Sequence, residues 1–413
     1  MISRPAVSAG SIPAGWILKP LKHNLRRLSD KGNVAGKVMA LENIEGWTGK
    51  ELETGSTFDG DGVKFQPDDL LFGKLRPYLA KVFLAREPGD AVGDLWALRP
   101  EPACDPKFMF YVLVNQMFID VVNGSTNGAK MPRAEWSYVG AIGVPTPPHG
   151  DQMAIARFLD RETGLIDGLI EKKTRFIALL KEKRTAVITH AVTKGIDPDV
   201  AMKGSGVDWL GSVPAHWEVL RIAALFREVS RTADPTMPVL SVSIHDGVTD
   251  GELADEDRDR KVTLSEDRTK YQGVAPGDLV YNMMRAWQGA FGAVTVKGLV
   301  SPAYVVAAPV ATFRTKFIEH LLHTKSAAEE IRRFSRGIAD FRMRLYWDQF
   351  RALRVCLPPL EEQDRILSEI DAETARIDGL IALTKRSIDL LREKRAALIT
   401  AAVTGKIDVR AAA

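Results

Sequence analysis

The chain has 413 residues, 45% of them hydrophobic and 26% charged, with a formal net charge of +3. That length exceeds one ordinary core and predicts two or more domains, and the near-neutral balance excludes overall basicity as the basis of a function. No run of 18 apolar residues occurs, the N-terminus MISRPAVSAGSIPAGW has no apolar signal core, and Cys104 and Cys356 stand far apart, so a cytoplasmic protein with neither membrane span nor disulfide framework is expected.

The first recognisable element is IPAGWILKPLKHNLRRL (12–28), followed by DDLLFGKLRPYLAKVFLA (68–85), which reads as a turn, a short strand and a basic loop. That loop offers Lys74 and Arg76, and GSTNGAKMPR (124–133) offers Lys130 and Arg133. From Pro147-Pro148 a segment without internal proline runs to Thr-Lys-Gly-Ile-Asp at 193–197. Its apolar residues recur in steps of three and four, the pattern of a helix that pairs with another helix. Ile166, Ile170, Ile177, Leu180 and Val187 mark its pairing face. At roughly 1.5 Å per residue, about 40 residues make a helix near 60 Å long. Gly164 and Gly168 weaken the pattern locally and allow a kink.

The plan then starts again. VPAHWEVLRIAALF (213–226) matches the first element at Pro13/Pro214, Ala14/Ala215 and Trp16/Trp217. GDLVYNMMRAWQGAFGAV (277–294) matches the second, with Asp69/Asp278, Leu70/Leu279 and Arg76/Arg285 in register. The stretch 331–354, IRRFSRGIADFRMRLYWDQFRALR, interleaves arginines with aromatic residues, and its Arg344 and Trp347 match Arg133 and Trp136. Guanidinium groups between aromatic rings suit phosphate or a guanine edge, and equally suit a solvated helix surface over a buried aromatic face. A second proline-free segment follows Pro358-Pro359. It repeats the first at a constant offset of 211, with about half of the positions identical and EKRAALITAAVTGKID (393–408) echoing EKRTAVITHAVTKGID (182–197). Its pairing face carries Ile377, Ile381, Ile388, Leu391 and Leu398. So distant a repeat is not a solenoid period; it marks two equivalent halves whose helices are each other's obvious partner.

Motifs for catalysis are missing from the sequence. There is no phosphate loop, no His-Glu-x-x-His and no Asn-Pro-Pro-Phe/Tyr or Asp-Pro-Pro-Tyr motif for amino-group methylation. His320 and His323 in EHLLH lack a third ligand and read as ordinary helix positions. The acidic run DGELADEDRD (250–259) reads as a solvated loop. A duplicated plan without such motifs favours a reader or scaffold over a catalyst.

WLGSVPAHWEV (209–219), LPPLEEQDRILSEIDAETARIDGLI (357–381) and REKRAALITAAVTGKIDV (392–409), with their first-half counterparts, resemble the specificity subunit of type I restriction–modification systems. The resemblance covers essentially the whole chain. It implies an α+β protein in which two mixed α/β target recognition domains are separated by two long helices that pair as an antiparallel coiled coil, with an internal pseudo-two-fold repeat. On that plan 1–145 is recognition domain 1, 146–197 the first helical region, 198–208 a linker, 209–357 recognition domain 2, and 358–413 the second helical region. It further implies a non-catalytic, host-defence subunit that binds a split, asymmetric sequence in double-stranded DNA and holds two methyltransferase subunits, through which restriction/translocase subunits join. S-adenosylmethionine, ATP and Mg2+ would then belong to those partners, for adenine methylation or DNA cleavage, and this chain would hold no cofactor or metal. Recognition residues vary with target, so the DNA-binding candidates come from residue chemistry alone: Lys74, Arg76, Lys130, Arg133, Arg285, Arg336, Arg342 and Arg344. The rival reading is a coiled-coil adaptor that joins two identical partners without reading DNA.

Overall fold

A computed structural model describes residues 6–7, 12–34, 36–55, 58, 61–126, 130–232, 234–243, 247–249, 270–337 and 343–409. The acidic run 250–259 and Arg342 lie outside the described residues. Two compact units emerge, Met1–Arg175 with Thr384–Ala413, and Phe176–Leu383.

Two long helices, His149–Lys194 and Leu360–Val403, take 46 and 44 residues. Each begins just after its Pro-Pro pair, where a missing backbone N–H costs nothing, and each is followed closely by a glycine of positive φ, Gly195 at 80° and Gly405 at 73°. The first runs unbroken through Gly164 and Gly168, which face open space. Each unit contains a part of both helices. In the first unit Ile155, Ala156 and Leu159 from the start of one helix share a core with Ile399, Ala402 and Val403 from the end of the other. In the second unit Ala191 and Val192 from the end of the first helix share a core with Ile366 and Ile370 from the start of the second. Start meets end in both, so the helices run antiparallel. Leu180, Ile377 and Ile381 add a small buried cluster in the second unit, with Ile177 against it.

The repeated plan is also visible in the sheets. The first unit has a four-stranded antiparallel sheet in the order Leu25–Arg27, Leu95–Pro100, Leu70–Gly73, Val82–Leu84. The second unit has Phe226–Val229, Tyr304–Pro309, Leu279–Asn282, Phe291–Ala293 in the same order. The central strands are apolar without alternation because both of their faces are buried. Leu70 and Phe72 enter the core shared with the long helices, while Leu71 points into a second core with Phe65, Phe83 and Ala97. Leu279 and Tyr281 against Val280 repeat the division. A two-stranded ribbon stands beside the helix start in each unit, Ile17–Pro20 with Gly143–Thr146 and Glu218–Arg221 with Arg354–Leu357.

Matched polar residues explain themselves as fasteners. Asp69 accepts the Gln66 N–H at 2.7 Å and two bonds from Arg99, both at 2.7 Å; Asp278 accepts the Ala275 N–H at 2.9 Å and two bonds from Arg231. Gln152, buried at the start of its helix, accepts the Asp105 N–H at 2.8 Å and donates to the Pro147 carbonyl at 2.9 Å. Gln363 does the same with the Arg314 N–H at 2.7 Å and the Pro358 carbonyl at 2.8 Å. A buried amide that spends both ends on backbone ties each helix to its domain. The repeated tryptophans seat on the helix tails: Trp217 lies at Gly195, and Trp16 with Pro13 lies at Gly405.

Candidate nucleic-acid interface

In each unit the strand at the middle of the sheet ends in a loop that carries cations. In the first unit that loop follows Leu70–Gly73, and the segment 130–134 is laced to it. The Arg76 N–H donates to the Pro132 carbonyl at 2.8 Å, the Ala134 N–H donates to the Lys74 carbonyl at 2.9 Å, and Leu75 pairs with Arg133 as an isolated bridge. Lys74, Arg76 and Arg133 are thereby brought together on one surface, with Arg76 and Arg133 exposed and Lys74 half-buried. Lys130, also exposed, stands three residues before Arg133.

The second unit repeats one bond of this lacing, while the Arg285 N–H turns back to the Asn282 carbonyl at 3.0 Å. The Leu345 N–H donates to the Met283 carbonyl at 2.9 Å, the counterpart in register of the Ala134–Lys74 bond. Arg336 and Arg344 exchange two backbone hydrogen bonds, each 2.9 Å, and both side chains are exposed. Arg285 follows Met283 by two residues and is half-buried. The remaining arginines of 331–354 are divided. Arg332 lies over the Trp287 ring at 5.4 Å, Arg333 pairs with Glu330 at 3.2 Å, and Arg351 lies 3.9 Å from Asp348. Phe350 is buried, while Tyr346 is exposed. The segment is therefore partly helix surface over aromatic core and partly an outward loop.

Sequence reading missed Asp94. It lies in the turn between Gly89–Ala91 and Leu95–Pro100, and its carboxylate pairs with Arg133 at 3.2 Å and Lys74 at 3.7 Å. Two of the candidate cations thus share one counter-ion. Among the described residues Arg76, Arg336 and Arg344 have no carboxylate partner. Guanidinium groups with free donor forks next to a backbone lace can donate to phosphate oxygens or to acceptors on a base edge.

The helix-face candidates fall into graded environments. Ile166, Leu180, Ile377, Ile381 and Ile388 are buried, while Ile170, Ile177, Val187, Leu391 and Leu398 are half-buried. Around them Arg184 pairs with Asp378 at 3.1 Å in the second unit, and Arg395 pairs with Asp167 at 2.9 Å in the first.

His320 and His323 lie on the helix Thr315–Leu322 and directly after it. Burial lowers the pKa of both, that of His320 to about 3. The His323 Nε2 lies 3.0 Å from the Phe291 carbonyl. Among the described residues no group of three or more His, Cys, Asp or Glu side chains could hold a metal, and no helix is long and apolar enough to cross a membrane.

Comparison with known proteins gives a consistent neighbourhood. The chain is 25% identical to the type I restriction enzyme EcoDI specificity subunit of Escherichia coli over 158 residues, 37% of this chain and 35% of that relative. It is 22% identical to the MjaVIII specificity subunit of Methanocaldococcus jannaschii over 324 residues, 74% of this chain and 71% of that relative. The match to the E. coli subunit therefore spans about a third of that protein's length. Among solved structures, a chain from work on complex assembly and conformational transition of the type I R-M system superimposes with a TM-score of 0.70 at 14% identity, covering 97% of this chain and 100% of that one. The HsdS subunit of Thermoanaerobacter tengcongensis superimposes with a TM-score of 0.54 at 15% identity, covering 96% and 99%. At such identities the likeness is one of fold. No family model matches the chain.

Proposed function

We propose that this chain, which its sequence and fold group with the specificity subunits of type I restriction–modification systems, is the DNA-reading and scaffolding subunit of such a complex. Each unit reads one half of a split, asymmetric target in double-stranded DNA. The repeated helices give two methyltransferase subunits equivalent seats, and restriction/translocase subunits join through them. The chain itself is non-catalytic and works in the cytoplasm. Adenine methylation with S-adenosylmethionine, and cleavage with ATP and Mg2+, belong to the partners.

The observation that carries this reading is a backbone hydrogen bond repeated in register, Ala134 to Lys74 and Leu345 to Met283, each beside exposed arginines. One device built twice matches a target with two half-sites, because a duplicated protein meets DNA over two stretches. Phosphates provide the larger share of contacts and fix register, and base edges provide specificity. On this reading Lys74, Arg76, Lys130, Arg133, Arg285, Arg336, Arg342 and Arg344 are the first residues to test.

Duplex binding by the complex of this chain with its methyltransferase, measured against salt, separates a reader from a bare adaptor. Neutralising phosphates with the eight candidate cations predicts a log–log slope on the order of −7 if all of them make such contacts. Binding that this chain does not strengthen over the methyltransferase alone would leave only the adaptor.

A further inference from the structure

We propose that the turn from Arg76 to Ala80 is a preformed reading tip, and that the Tyr78 ring at its apex contacts a base in the half-site bound by the first unit, setting specificity at one position. The proposal rests on the DNA-reading function above and adds to it a residue that carries no charge.

The backbone of this turn is unusual. Arg76 and Ala80 adopt left-handed conformations, with φ of 51° and 44°, on either side of the single 3-10 turn Pro77–Leu79. For residues with a side chain each such conformation costs on the order of 1 kcal/mol, and it persists only where the surroundings impose it. Here they do. The Arg76 N–H is bound to Pro132, the Trp47 N–H donates to the Ala80 carbonyl at 3.0 Å, and the Leu79 and Ala80 N–H groups close the turn on Arg76 and Pro77. Gly46 lies so close that a Cβ there would stand 2.2 Å from the Leu79 carbonyl oxygen. Pro77 and Ala80 are buried.

All this fixation displays Tyr78 instead of burying it. Tyr78 is 46% exposed, and Leu79 beside it is 38% exposed. Among the described residues the Tyr78 hydroxyl has no hydrogen-bond partner. A ring on a fixed backbone has only two torsions to lose on contact, so it binds at low entropic cost. Arg76 and Lys74, at the foot of the turn, are placed for phosphate; the ring offers an apolar face for a thymine methyl and a hydroxyl for a base acceptor.

The second unit provides the contrast. Its counterpart turn, Ala286–Gln288, ends on Gly289 at φ 95°, where glycine adopts the conformation without strain. Trp287 stands at the position of Tyr78, but its ring is covered by Arg332 and its indole N–H donates to the Met284 carbonyl at 3.1 Å. Trp287 is already engaged, and of these two matched aromatic residues Tyr78 is the one free to engage a ligand.

The test is methylation-motif mapping in cells that express the cognate methyltransferase with the parent chain, Tyr78→Ala or Tyr78→Phe. The expected result for Tyr78→Ala is degeneracy at one position of one half-site, a fall of about tenfold at the original sequence, and an unchanged second half-site. Tyr78→Phe isolates the hydroxyl and should keep the half-site of the ring contact, losing discrimination only where a base acceptor is read. An unchanged motif and rate with Tyr78→Ala would overturn the proposal, and so would an equal loss at every sequence, which would make Tyr78 a backbone contact. If Tyr78→Ala does not accumulate, Tyr78→Leu keeps an apolar side chain and must still alter that one position. Failure of the parent chain to give any split motif would instead count against the DNA-reading function.

Discussion

Asp94 pairs with both Lys74 and Arg133, and on the proposed reading it would compete with phosphate for that cation pair. Both bridges are at the surface, where an ion pair contributes at most about 1 kcal/mol. The carboxylate therefore adds little to the fold, and the proposed DNA-reading function predicts that it tunes affinity. Asp94→Asn should raise affinity for duplex DNA of any sequence by about threefold at low salt, an effect that fades as salt is added. Anisotropy titrations with matched and unrelated duplexes check this, and weaker binding would mean that Asp94 is needed to aim the two cations. Residue chemistry made Lys74 and Arg133 visible in the sequence. Their shared counter-ion was not, since Asp94 lies 20 residues after Lys74 and 39 before Arg133, and only the sheet brings the three together. Trp287 was equally hidden as a partner of Arg332, because a cation over a ring leaves no periodic trace.

At the scale of elements the long helices were the most legible part of the chain. Their three-and-four spacing, the Pro-Pro before and the glycine after define the ends, and Gly164 and Gly168 did not interrupt the helix because a glycine facing open space costs only about 1 kcal/mol. Strand order was not legible. Leu70–Gly73 and Leu279–Asn282 lack alternation because both faces are buried, so no periodicity reveals their neighbours. The short helix Thr315–Leu322 has a consequence of its own. His320 is held neutral in the folded chain, its pKa about 3 against an ordinary 6.5, first through burial and then through Lys316, His323 and Arg184. Its buried Nε2 has no hydrogen-bond partner among the described residues. Below pH 6.5 the unfolded chain takes up a proton that the folded chain refuses, so stability falls as the pH drops from 6.5 towards 3. Between pH 6.5 and 5 the loss is about 1.5 kcal/mol from this group alone. Urea unfolding of the second unit should show that slope, and His320→Leu should flatten it. An unchanged slope would mean that the ring is protonated where it lies.

Across the whole molecule one pattern recurs at every level: the Gln clamp, the tryptophan on the helix tail, the sheet order and the backbone hydrogen bond beside the arginines. The scaffold repeats while the loops diverge, as Tyr78 and Trp287 show. A structural duplication alone needs no divergence at its tips, whereas a reader of two unlike half-sites does. Long-read sequencing of DNA from cells carrying this chain with its cognate methyltransferase tests that account most directly. The predicted result is methyladenine on a single split motif with two unlike halves, lost when this chain is deleted. Methylation without a split motif, or one that persists without the chain, would contradict it.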